Sequence, residues 1–142
     1  LMLAKKLKLN KGIIMGLITE KHLPALEGLI PSRLTTCSKD GEPNATVISQ
    51  VWYVDGDHVA LSFQFFNKTR KNIQENPYAV TTVVNPNDMS MYTLDLKFDH
   101  SETEGDLFDE MDMKLEAIAS MQGMSGIYKL LAADVYKVLN IS

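Results

Sequence analysis

The chain has 142 residues, 45% of them hydrophobic and 23% charged, with a formal net charge of −4. That length fits one domain with its own core, and the acidic balance excludes the broad basic field that nucleic-acid binding requires. Cys37 is the single cysteine, which excludes an internal disulfide and points to a reducing, cytoplasmic setting. No apolar run approaches the ~20 residues that span a bilayer, so no membrane association is expected.

Residues 1–17 mix basic and apolar residues without a signal-peptide core and read as an arm, with a folded domain over 18–142. Thr19 can cap a short helix through "EKHLPALEG", with Pro24 limiting its length and Gly28 stopping it. An all-β run follows. "SRLTTCS" reads as a strand, "KDGEP" as a turn, "NATVISQVWYV" as one long strand, Asp55 to Asp57 as a second tight turn, and "HVALSFQF" as the third strand of a meander. Asn67 then caps a helix through "KTRKNIQE", which Pro77 ends.

"YAVTTVV" reads as another strand, and "SMYTLDLKFDHSET" alternates like a long half-buried one. Leu107, Met111, Leu115 and Ile118 recur at helical spacing up to about Met121, and "IYKLLAADVYKVLNI" supplies one or two closing strands. The expectation is a mainly β fold with flanking helices: six or so antiparallel strands in a small closed or split barrel.

The stretch from Asn67 to Asn72 is the best candidate for chemistry. A strand running into a helix start offers unpaired backbone N–H groups and the positive end of the helix dipole. Lys68 adds a point charge and Thr69 a hydroxyl, which together form a phosphate cradle. Taken by itself, the same run reads more simply as a capped helix with Lys68, Arg70 and Lys71 facing water. Ser49 and Gln50 beside Trp52, with Ser62 and Gln64 on the next strand, either edge a pocket for a planar polar ring or merely occupy outward positions.

The acidic run from His100 to Asp112 reads as a solvated face, and no metal site is expected from it. His22, His58 and His100 show no paired spacing for a metal or a triad. Met111, Met113, Met121 and Met124 are expected in the core, as is Cys37. One of Trp52 and Tyr53 belongs there too, the other lining a pocket or a subunit contact.

The run "GLIPSRLTTCSKDGEPNATVISQVWYVDGDHVALSFQFFNKTRKNIQENPYAV" resembles the pyridoxamine 5′-phosphate oxidase-like FMN-binding split-barrel family, most specifically in "FFNKTRKNIQENP". The resemblance runs from Ile18 to the last strand and implies a homodimer of six-stranded antiparallel split barrels with FMN at the subunit interface. It places Lys68 and Thr69 at the cofactor phosphate, with Asn67 and Asn72 as helpers. Val47, Ile48 and Ser49 match positions running along the flavin, Ser49 by its side chain and its neighbours by backbone, while Ser62, Phe63 and Gln64 lie where the next strand approaches the ring. Arg70 and Lys71 are expected to be exposed.

The family's oxidase carries an arginine-rich C-terminal segment for its substrate phosphate. This chain has only Arg33 and Arg70 and ends in "AADVYKVLNIS", which argues against pyridoxamine phosphate oxidation. FMN binding is what carries over. The expected function is an FMN-dependent oxidoreductase of unknown substrate, set against a non-catalytic flavin sensor or electron carrier and, behind both, a split-barrel binder of heme or a deazaflavin.

Overall fold

The stretch "NATVISQVWYV" is the hinge of the architecture. Its residues form two strands rather than one, β2 (Pro43–Ile48) and β3 (Val51–Asp55), separated at Ser49 and Gln50. The computed structural model describes residues 16–63, 67–124, 126 and 129–142. The other strands are β1 (Ser32–Cys37), β4 (His58–Phe63), β5 (Tyr78–Val84), β6 (Met91–Glu102) and β7 (Ala132–Ile141). A 3₁₀ helix (Glu20–Leu26) precedes β1, α1 (Asn67–Glu75) follows β4, and α2 (Asp106–Met121) lies between β6 and β7.

The strands form one antiparallel sheet in the order β2-β1-β5-β6-β7-β4-β3. The expected count of six is therefore corrected to seven, because the long strand changes partners midway: β2 pairs with β1, and β3 pairs with β4. The two edge strands are joined by two residues yet share no ladder, so the sheet is not closed. Gln50 marks the transfer. Its N–H donates to Ser62 Oγ at 3.1 Å, its carbonyl accepts from the Ser62 N–H at 3.3 Å, and its fully buried side chain donates through Nε2 to the Met111 carbonyl of α2 at 3.2 Å. Gln50 thus ties the break to β4 and α2, while its Oε1 is buried with no hydrogen-bond partner among the described residues.

Alternation divides the strands between two cores. Leu34, Ile48, Val51, Tyr53, Val59, Leu61, Leu94, Leu96, Tyr136 and Val138 fill the inside of the curled sheet together with Leu23 and Leu26 of the 3₁₀ helix. Ala60, Ala133 and Val135 face the other way and receive Met111 and Leu115 of α2. Tyr53 is core and Trp52 is half-buried, packed on the α2 side. Met113 and Met121, expected in the core, lie instead on the solvent side of α2 at 72% and 88% exposure, because its 3.6-residue period presents one stripe only.

The first helix is tighter than an α-helix. Pro24 sits inside it, where an α-helical turn would lose a hydrogen bond. Its start is held reciprocally: the His22 N–H donates to the Thr19 carbonyl at 3.0 Å, and the Thr19 N–H donates to His22 Nδ1 at 3.0 Å. Gly28 follows at φ 70°, in the left-handed region. The arm expected over residues 1–17 lies outside the described residues except for Gly16 and Leu17.

Candidate cofactor-binding site

A cleft of about 310 Å³ opens where α1 crosses the end of the curled sheet. That volume lies at the low end of the range for small-molecule sites. Its walls are Leu34 (β1), Ile48 (β2), Leu61, Ser62 and Phe63 (β4), Phe98 and Ser101 (β6), Asp134 and Tyr136 (β7), and Thr69, Arg70, Ile73 and Gln74 of α1. Such apolar walls with a few polar groups suit a planar ring with a polar edge.

Four of the residues singled out in the sequence meet here: Ile48, Ser62, Phe63 and Thr69. Thr69 is 7% exposed, and its Oγ1 accepts from Asn44 Nδ2 at 3.2 Å. Ser62 Oγ is used as an acceptor by the Gln50 N–H. A hydroxyl that accepts keeps its own proton to donate. Both hydroxyls therefore retain a donor.

The remaining candidates are placed elsewhere. Lys68, also on the first turn of α1, points outward, its Nζ 3.5 Å from Glu42 Oε1 and its side chain 59% exposed. Asn72 is buried behind the helix, where Nδ2 donates to Thr36 Oγ1 at 3.2 Å. Val47 is exposed on the edge strand β2. Ser49 borders a separate, smaller depression of about 110 Å³ with Gly28, Leu115 and Ile118. Asn67 is the first residue of α1, and Gln64 lies outside the described residues, as do Phe65 and Phe66.

Arg70 departs from expectation. It is half-buried, not solvated. Its Nη2 donates to Asp134 Oδ1 at 3.1 Å and to Ser101 Oγ at 3.2 Å, and its guanidinium carbon lies 4.0 Å from the centroid of the Phe63 ring. Its Nε is buried with no hydrogen-bond partner among the described residues. Asp134 sits in register between Leu61 of β4 and Ser101 of β6, and its Oδ1 also accepts the Ser101 hydroxyl at 2.6 Å.

Alternation puts Asp134 on the same face of β7 as Tyr136 and Val138, which belong to the inner core. Burial pushes the Tyr136 phenol well above its ordinary range, Asp134 adds to the effect and Arg70 opposes it. Tyr136 therefore stays protonated, packed edge-on against Phe98 with ring centroids 5.4 Å apart.

Arg70, Ser101, Asp134 and Tyr136 escaped the sequence reading. The one available signal was Asp134, a lone carboxylate in the apolar run "LLAADVYKV".

The sequence profile described as pyridoxamine 5′-phosphate oxidase matches residues 18–138. The chain belongs to the pyridoxamine 5′-phosphate oxidase family. An uncharacterised protein of Methanocaldococcus jannaschii is 38% identical over 74 residues, which are 51% of this chain and 49% of that protein. The chain thus spans about half the length of the curated relative it matches.

Among solved structures, an FMN-binding protein from Syntrophomonas wolfei subsp. wolfei superposes with a TM-score of 0.69 at 21% identity, covering 99% of this chain and 88% of that one. An F420 reductase does so at 0.62 and 14% identity, covering 88% of this chain and 98% of its own. The heme storage protein HutZ of Vibrio cholerae reaches 0.54 and 13%, covering 90% and 94%. At these identities the likeness is one of fold. The fold of the pyridoxamine 5′-phosphate oxidase family is thus common to proteins described by three different ligands.

The cleft tests which of those ligands the residues present can hold. A flavin needs an apolar slot for its ring, donors at the ring's polar edge and a cradle for its phosphate. The slot is present, the buried Nε–H of Arg70 has no acceptor among the described residues, and the Thr69 hydroxyl stands on the first turn of α1. The three histidines lie away from the cleft: His22 caps the 3₁₀ helix, His58 pairs with Asp55 at 2.9 Å, and His100 is exposed between Asp99 and Glu102. Among the described residues no group of three or more His, Cys, Asp or Glu is arranged to hold a metal ion, and no helix is long and apolar enough to cross a membrane.

Proposed function

We propose that this chain binds FMN in the cleft under α1 and acts as an FMN-dependent oxidoreductase on a substrate of unknown identity. The observation that carries the reading is the convergence of Thr69, Ser62, Ile48 and Phe63 on one cleft at the N-terminal turn of α1. All four lie inside the segment matched by the family, and a fold relative is an FMN-binding protein.

In this reading the first-turn N–H groups of α1, the Thr69 hydroxyl and the Lys68 ammonium receive the phosphate. Asn67 and Asn72 flank them, Asn72 by bracing the helix on Thr36. Ile48 runs along the flavin, and Ser62 and Phe63 approach the ring, whereas Val47 and Ser49 lie outside this cleft. Lys68 must turn from Glu42 to do so, a small cost for an exposed pair.

When bound, the flavin supplies the redox chemistry, and the protein supplies orientation and electrostatics. The cleft's carboxylate is engaged by Ser101 and Arg70, and burial keeps its phenol protonated. No base stands ready among the described lining residues. That feature favours electron or hydride transfer over proton abstraction, and it keeps a sensor or electron-carrier module as the second reading. Anaerobic mixing of the FMN-loaded protein with NADH and NADPH separates the two: bleaching of the flavin band on a turnover timescale supports the oxidoreductase, and no bleaching with either donor supports the carrier or sensor.

The heme reading ranks last because no histidine reaches the cleft.

The protein is further proposed to be a homodimer. Tyr78, Val80 and Leu139 expose apolar surface on the outer face of the sheet around a shallow depression of about 340 Å³. A second copy would cover it. Light scattering at the monomer mass of 15.9 kDa would refute this.

A further inference from the structure

The ion pair in the wall of the cleft has more than a structural latch requires. Arg70 reaches from the first turn of α1 across to Asp134 and Ser101, with its guanidinium carbon over the Phe63 ring. A latch needs the Nη2 contacts alone. The Nε–H is buried and without a partner among the described residues, although a buried unpaired donor is costly and rarely left so. Among the described lining residues Arg70 is the one cation and Asp134 the one anion. Their charges nearly cancel at close range, so loss of either would leave a net charge on the cleft wall.

Resting on the FMN reading above, we propose that Arg70 and Asp134 flank the flavin ring and set its redox balance, with Arg70 donating through its Nε–H to an acceptor on the ring. The placement follows from Phe63, which lies on the strand expected to approach the ring and carries the guanidinium on its face. Dithionite delivers two electrons, and solvent one proton, to the ring, which then carries one added negative charge, while dithionite is oxidised to sulfite. A guanidinium beside the ring favours that reduced form, and a carboxylate disfavours it. Asp134 tempers Arg70, and the pair together holds the balance.

The test measures the midpoint potential of bound FMN, by dye-coupled reductive titration with dithionite, in the wild-type protein and in Arg70→Gln, Arg70→Lys and Asp134→Asn. Asparagine still accepts from Nη2 through Oδ1, so Asp134→Asn removes charge with little change of shape. The expected results are opposed shifts: Arg70→Gln lowers the potential and Asp134→Asn raises it. Each shift corresponds to at least a tenfold change in the ratio of affinities for reduced and oxidised flavin, about 30 mV for two electrons. Arg70→Lys keeps the charge and stays near wild type.

Shifts of the same sign in both charge-removing variants, or changes under about twofold in that ratio, would overturn the inference and leave Arg70 a latch. If Arg70→Gln fails to fold or to hold flavin, Asp134→Asn decides alone: a rise supports the pair, no rise refutes it. A wild-type protein that takes up no FMN refutes the FMN reading itself. One that holds FMN while the variants show no opposed shifts refutes only this inference.

Discussion

Replacing Thr69 by valine isolates the hydroxyl at the cofactor cradle. The two side chains are nearly equal in shape, and Thr69 is 7% exposed, so the helix and the cleft wall stay as they are. Two hydrogen bonds are at stake. The one from Asn44 Nδ2 at 3.2 Å is neutral and contributes about 0.5–1.5 kcal/mol to stability. The one to a bound phosphate would be charge-assisted, worth about 1.5–3 kcal/mol. At about 1.4 kcal/mol per factor of ten, FMN affinity should fall roughly 10- to 150-fold.

Quenching of FMN fluorescence during titration measures this directly. Lys68→Ala should also weaken binding, while Lys71→Ala, on the exposed side of α1, should not. Glu42→Gln removes the competitor that holds Lys68 at 3.5 Å. It should tighten binding by about 1.5- to 5-fold, the worth of an exposed pair. Unchanged affinity in both Thr69→Val and Lys68→Ala, or an equal loss in Lys71→Ala, would refute the cradle.

Three further outcomes follow from the fold. Gly28→Ala places a Cβ at φ 70°, 3.2 Å from Gln50 and 3.3 Å from Trp52, and should lower stability by about 1–2 kcal/mol or more, read by urea denaturation. Asn72→Ala strands the buried hydroxyl of Thr36 and should cost about 1–3 kcal/mol in the same assay, with flavin affinity falling less than in Thr69→Val.

The pH dependence of the melting temperature is set partly by His22, whose pKa is lowered by burial and by Lys21. The unfolded state takes up its proton more readily than the folded state. Stability should therefore hold above the unfolded value of 6.5 and fall as pH drops below it toward the lower folded value. Exposed His100, raised by its bonds to Asp99 and then Glu102, has the opposite sign: its contribution is present below 6.5 and lost as pH rises through its folded value. Its exposure keeps that contribution small. His22→Gln should flatten the acid slope, and an unchanged slope would contradict this account.

The strands were legible because alternation and turn chemistry are local. Asp-Gly at positions 40 and 41, the Asp55–Asp57 turn and Pro77 all fall where the chain turns or a helix ends. The strand count was not, because the break at Ser49 and Gln50 arises from a change of pairing partner, and nothing in "VISQVW" forbids one continuous strand. The methionines of α2 misled for a related reason: composition cannot tell which stripe of a helix meets the sheet, and Met113 falls off it.

At the cleft, the residues found by local pattern were those near the start of α1. Arg70 read as one more charge in a basic run, because its partners Ser101 and Asp134 lie 31 and 64 residues further along the chain. A charged side chain is solvated by default, and only the tertiary pairing of β6, β7 and β4 at this end of the sheet makes this one a wall of the cleft.

The reading above stands or falls with a flavin in the cleft. The direct measurement is the visible absorption spectrum of the protein as purified from cells, with mass identification of the chromophore released on denaturation. Flavin absorption bands, and FMN at close to one per chain, are the expected result. A Soret band, or a colourless protein that takes up no FMN when titrated, would contradict it.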